Sequence, residues 1–313
     1  EEVAMNSRTK LNIALLVVVA GLGALAWFKP GARQEKPASY LADFKPDKVS
    51  MLKIDVANQP EVTISREDGR WQLQGPISGP ADPFRVKSII TSLHSKSLSQ
   101  YQAGKLDLTK YGLAKPEVSV SVDGDRFEFG DTESLSHHRY VKHGDTVHLV
   151  SDTAYYQLKA NPSSLLDKRL LPEGSSPVLI KLPDQTLSRD DKGHWQLAPA
   201  NKNVSADDIQ KLVDHWTDAR AISVDRTDPK AGSSAKVTIM LKGRKQPLLF
   251  KVIPDQHSLV LARPDLGLSY HLAKSEAGDL LQLTASASSA AGKATPSDGR
   301  KAGATSSAGT SGG

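Results

Sequence analysis

Ser65-Arg66-Glu67-Asp68-Gly69-Arg70-Trp71-Gln72-Leu73 returns later in the chain as Ser188-Arg189-Asp190-Asp191-Lys192-Gly193-His194-Trp195-Gln196-Leu197, with one residue inserted in the turn. A similarity of this length means duplicated structural units, and the fold has to be read from them. Asp68-Gly69 between two alternating segments is a hairpin signal. The same signal stands at Asp191-Lys192-Gly193. What recurs is therefore two strands around an acidic turn, which is architecture before it is chemistry.

Working outward, the same succession follows each hairpin. Asp82 is placed to cap a helix with Pro83 at its first position, and Val86, Ile89, Ile90 and Leu93 fall at helical spacing. Ser205 caps the second copy, where Ile209, Leu212, Val213 and Trp216 repeat that spacing. Val118 to Val122 alternates, turns at Asp123-Gly124 and returns as Phe127-Glu128-Phe129. Val237 to Leu241 turns near Gly243 and returns through Leu248-Leu249-Phe250. A further hairpin runs from Tyr140 to Leu149 and is matched from Leu259 to Leu272. Short helices near Thr153 to Lys159 and Lys274 to Leu281 close the units. Hairpins with segregated helices predict an α+β fold with antiparallel sheets, in two tandem units over 49–172 and 176–283.

Composition bounds the rest. The 313 residues suffice for two small units with polar extensions. Net charge is +5, from 40 basic and 35 acidic residues with no run of five basic side chains, which argues against nucleic acid. There is no cysteine, so thiolate metal sites, thiol nucleophiles and disulfides are excluded. Leu11 to Phe28 carries no charge and one polar side chain, Asn12; as a helix it spans about 27 Å, close to a bilayer's hydrocarbon thickness. Met5 is the expected start, with a cytoplasmic N-terminus over 1–10. Trp27 and Phe28 stand where an interfacial aromatic belt belongs. Two readings of this segment stay open: an uncleaved signal anchor over 11–28, or a signal peptide cut after Ala24-Leu25-Ala26. Either puts the bulk of the chain outside the cytoplasm, in the periplasm. A polar linker is expected over 29–48 and a disordered tail over 284–313, which is rich in Ser, Ala, Gly and Thr.

The pattern resembles a bacterial family known only as domain of unknown function 4340. The resemblance rests on Trp71-Gln72-Leu73, Pro80-Ala81-Asp82, the segment Leu108 to Pro116, Phe127-Glu128-Phe129-Gly130, Arg139-Tyr140-Val141 and Asp167-Lys168-Arg169-Leu170-Leu171. It covers the first unit; the second lacks the Tyr-Gly-Leu and Arg-Tyr-Val elements. The resemblance implies an inner-membrane-anchored envelope protein whose partners are other inner-membrane or periplasmic proteins, an ABC-type transport system linked to gliding motility among them. It carries no catalytic residue to transfer.

Three constellations invite chemistry. His137, His138, His143 and His148 lie close in sequence and imidazoles bind Zn or Cu, but only His271 of the group recurs, so strand histidines are the plainer reading. Glu67 and Asp68, with Asp190 and Asp191, could form a carboxylate pair of glycosidase type, yet turn formation already explains them. Trp71 and Trp195 could stack on sugar rings; their spacing from Leu73 and Leu197 predicts core packing instead. No Gly-x-Ser-x-Gly elbow or His-Glu-x-x-His is present. No catalytic, cofactor-binding or metal-binding residue is assigned. The sequence reads as a non-enzymatic scaffold or accessory subunit, with a glycan-binding or glycan-cleaving module as the alternative.

Overall fold

The computed structural model describes residues 7–28, 39–228 and 230–283. Helix α1 spans Ser7–Phe28. Its described side chains, over 11–24, are exposed. Among the described residues no helix is long and apolar enough to cross a membrane. That stretch falls short of the roughly 20 residues a crossing needs; the side chains of Trp27 and Phe28, residues 1–6, most of the expected linker and the tail 284–313 lie outside the described residues.

Unit one is a nine-stranded antiparallel sheet. Its elements are β1 (Met51–Val56), β2 (Val62–Glu67), β3 (Arg70–Gln74), β4 (Gly79–Pro80), α2 (Pro83–Leu93), β5 (Ser99–Gln102), β6 (Val118–Val122), β7 (Asp125–Thr132), β8 (Arg139–His143), β9 (Thr146–Val150) and α3 (Thr153–Leu158). The spatial order is β4-β3-β2-β1-β6-β7-β8-β9-β5. Unit two repeats it through β10 (Pro177–Lys181), β11 (Thr186–Arg189), β12 (Trp195–Ala198), α4 (Ala206–Asp218), β13 (Ser223–Arg226), β14 (Ala235–Leu241), β15 (Leu248–Ile253), β16 (Ser258–Arg263), β17 (Leu268–Ala273) and α5 (Glu276–Leu281). Its order, β12-β11-β10-β14-β15-β16-β17-β13, is that of unit one without β4.

Local chemistry explains the elements. In β1 every second residue is buried, as it is in β14 and β15, the period-two pattern of a sheet with one covered face. The Asp82 carboxylate accepts from the amides of Phe84 and Arg85, starting α2. Ser205 and Asp208 form a capping box at α4. The predicted stripes are the buried ones: Val86, Ile89, Ile90 and Leu93 on α2, Ile209, Leu212, Val213 and Trp216 on α4. Trp216 takes the place of Leu93, and its indole N–H donates to Leu280 O at 2.8 Å, tying α4 to α5. Burying each such side chain contributes about 1.5–3 kcal/mol.

Three features differ from the sequence expectation. The central strands β1 and β10 precede the repeated hairpin, and the edge strands β5 and β13 follow the helices; none of the four belongs to the pattern read from the sequence. The expected free linker docks from Ser39 onward: Leu41 donates to Ser95 O, Tyr40 stacks on His94 with centroids 4.8 Å apart, and Leu41 and Ala42 are buried. Finally, the main cores of both sheets are continuous in one hydrophobic cluster, with a small separate cluster of Ala103, Leu113 and Val147 at the far end of unit one.

The join is the segment 165–171. On one side it pairs with the approach to α2: Asp82 donates to Leu165 O and Asp167 to Pro80 O, each at 2.8 Å. On the other it pairs with the exit of α4: Leu170 donates to Ala219 O at 3.2 Å and Ala221 to Lys168 O at 2.8 Å. Leu166, Leu170 and Leu171 are buried beneath it. Gly79 lies close against unit two, where an added Cβ would lie 2.8 Å from Leu268 Cδ1.

Candidate functional site

The predicted constellations disperse in three dimensions. His148 is buried on β9 with Nδ1 3.1 Å from Ser97 Oγ, and burial pushes its pKa down to about 4 with His143 adding to the effect. His143 stacks on Phe127 at 4.5 Å, and His137 sits in a left-handed turn at φ 56°. His271 lies 3.6 Å from Asp225 in unit two. No group of three or more potential ligands gathers among the described residues.

The turn acids build their turns. Glu67 Oε1 accepts from Ser65 Oγ and Gln74 Nε2. Asp68 takes the left-handed conformation at φ 47° beside Gly69. Asp190 accepts from the His194 and Lys192 amides and from Gln196, and the His194 amide foremost holds its carboxyl below the usual range. The tryptophans are half-buried rather than enclosed. Each lies opposite an arginine in the sheet, with Arg66 5.9 Å from the Trp71 centroid and Arg189 5.3 Å from that of Trp195.

The residues that carried the family resemblance gather at two places instead. One is a knot at the far end of unit one. The Gly130 backbone passes so close to Tyr111 O that a Cβ there would overlap it. Buried Arg139 donates to Gly130 O and to the Asp152 carboxylate, with its guanidinium 3.5 Å from the Tyr155 ring centroid. Tyr111 meets Tyr140 edge-on at 4.8 Å. These contacts hold loops and are structural.

The other is a cleft of about 490 Å³ at the seam. Unit one contributes the β2–β3 turn, Trp71 and the prolines around Ala81; the joining segment forms the floor; unit two contributes Arg244 and the β16–β17 end with Arg263, Asp265, Leu266 and Tyr270. Its inner charges are matched. Arg263 holds Asp265 through two hydrogen bonds of 2.9 and 2.7 Å. Arg169 grips Asp167 at 2.9 Å and Glu173 at 2.6 Å. Each arginine holds its carboxylate partner below the usual range where a shift is seen, for Asp265 and for Glu173. Tyr270 is 2 % exposed, and burial pushes its phenol up to about 12. Sequence reasoning singled out Trp71 but missed Arg244, Arg263 and Tyr270, which carry no motif and reach the cleft only through tertiary packing.

Among known proteins, residues 71–231 match the model of a family described as Domain of unknown function (DUF4340). No curated protein and no solved structure matches the chain.

Proposed function

From the premise that this chain belongs to the DUF4340 family of domains of unknown function, we propose a non-enzymatic envelope protein that binds another protein. Residues 11–28 anchor it once in the bacterial inner membrane, and both units project into the periplasm. The observation that carries the binding role is the seam cleft, which neither unit could form alone. Its three carboxylates are each engaged by a guanidinium, so the lining offers recognition groups rather than a poised acid or base.

The anchor has its own support. Helix α1 is continuous over Ser7–Phe28, and Leu11 and Leu16 on it are 69 % and 71 % exposed, with no part of the chain covering them among the described residues. The apolar run continues in sequence to Phe28, long enough for a span. Because the chain docks on unit one from Ser39, the segment 29–38 can separate the domain from the helix by at most about 35 Å. Unit one is thus tethered close to the bilayer, where an accessory subunit of a transport complex would stand.

Crosslinking in intact membranes, followed by capture of the full chain, tests this reading. A specific protein partner and a membrane-bound chain of intact mass are expected. A soluble chain beginning at Trp27, or capture of no specific protein under conditions that preserve complexes, would overturn it.

A further inference from the structure

We propose that the seam cleft binds a short acidic peptide segment, with a carboxylate between Arg70 and Arg244 and a neighbouring apolar side chain against Trp71. The inference rests on the protein-binding reading above and names the chemistry that its site recognises.

Charge is the first support. The inner guanidiniums are already matched to carboxylates, but Arg70 and Arg244 at the mouth form no ion pair among the described residues. Both are exposed, one at the start of β3 and the other on the β14–β15 turn, and they line the cleft from opposite units. Two guanidinium forks with no carboxylate within ion-pair distance suit one, which accepts paired N–H donors, although Arg244, after Arg263, also helps to lower the Asp265 carboxyl.

Tyr270 is the second support. Its side chain is almost fully buried, lines the cleft, and makes no hydrogen bond through its hydroxyl among the described residues. The hydroxyl is not among the enclosed unpartnered atoms, so although the ring is buried its oxygen opens onto the cleft, where a bound acceptor would replace water. This hydroxyl senses Arg263, Asp167 and Asp265, the charged groups of the cleft itself. It stays protonated at any physiological pH, so it can donate to an acceptor that enters the cleft.

The third support is apolar surface. Trp71, Pro80, Pro83 and Leu266 line the same space. An inorganic anion would engage the arginines and leave these uncovered; a neutral apolar ligand would leave Tyr270 and both guanidiniums unmet. A peptide that alternates carboxylates with apolar side chains uses all of them. The cleft volume lies in the range of small-molecule pockets, enough to take a few side chains of such a peptide.

The test uses the full chain in detergent micelles and calorimetry with three probes: a glutamate-, leucine- and phenylalanine-containing hexapeptide, its glutamine counterpart, and inorganic phosphate. Saturable binding of the acidic peptide is expected, with the glutamine peptide about tenfold weaker or more. The R70Q/R244Q double variant should lose about tenfold with unaltered thermal unfolding, since both side chains are exposed. Y270F should lose affinity while retaining its fold. Equal binding of the glutamine peptide, binding of phosphate but not peptide, unchanged affinity in the double variant, or no peptide binding would each overturn the proposal. Its failure is separable from that of the function. A chain that captures its membrane partner but ignores the peptide rejects only the cleft; one that binds peptide but captures no partner rejects only the scaffold.

Discussion

Trp71 and Trp195 occupy the same place in the two copies of the hairpin, yet they do different work. Both sit opposite an arginine and half-buried against the shared core. Trp71 lines the seam cleft, because the opposite end of unit two packs beside it. Trp195 does not line that cleft, and its indole N–H is buried with no hydrogen-bond partner among the described residues. The two units therefore join through unlike surfaces, hairpin end of one against β16–β17 end of the other. Had they joined through like surfaces, both tryptophans would line equivalent sites. Duplication supplied two copies of a folding unit, and asymmetric packing made one cleft from them.

The joining segment is what imposes that asymmetry, so removing its wedge should break the comparison most. Leu166 is fully buried between the approach to α2 and the shared core. Leu166→Ala should cost about 2–5 kcal/mol, by lost transfer energy and a residual cavity. Denaturant unfolding is the measurement. Loss of a single cooperative transition is expected, because the contacts that couple the units lie around this side chain. An unchanged midpoint and slope would show that the units cohere without it.

A second contrast sits on matching strands. His148 on β9 and His271 on β17 both precede Leu and follow an apolar residue. His148 is enclosed with a pKa of about 4, whereas His271 is 35 % exposed beside Asp225. The folded value of His148 is depressed below the unfolded value of about 6.5, so the unfolded chain takes up the proton first. Stability from this residue is full above about pH 6.5, falls as the pH drops towards 4, and then levels off. The loss should approach about 3 kcal/mol. H148Q, which can keep a hydrogen bond to Ser97, should flatten the stability curve between those values. A curve unaltered by H148Q would mean that the buried imidazole does not set acid sensitivity.

These contrasts show how far the sequence reaches. The repeated hairpins, both helix caps and both apolar stripes are legible because each depends on neighbours within a turn or two. The strand β1 carries a clean alternation in Leu52, Ile54 and Val56, but it lies outside the repeated motif. The edge strand β5, Ser99–Gln102, has no apolar residue except Tyr101 and is a strand only because β9 offers it a ladder. The cleft is least legible. Trp71 announces itself, and its ring does pack against the core, but it is only half-buried, as Trp195 is, and what sets it apart is that unit two lines the space beside it. Arg263 and Tyr270 read as ordinary strand residues until the join brings them opposite Pro80 and Ala81.

The smallest effect gives the sharpest form of the comparison. Arg66 and Arg189 each lie over a tryptophan, at 5.9 and 5.3 Å from the ring centroids. At sites this open a cation–π contact contributes about 0.5–1 kcal/mol, and methionine preserves the aliphatic cover while removing the charge. R66M and R189M should therefore lower stability by similar small amounts, measured by denaturant midpoint, because the hairpins are equivalent as folding units. They should differ in their effect on the acidic peptide, because only Trp71 borders the cleft. R66M should weaken that binding by less than the R70Q/R244Q change, and R189M should leave it unaltered. Equal effects of the two variants on peptide affinity would mean that the binding surface follows the repeat rather than the seam.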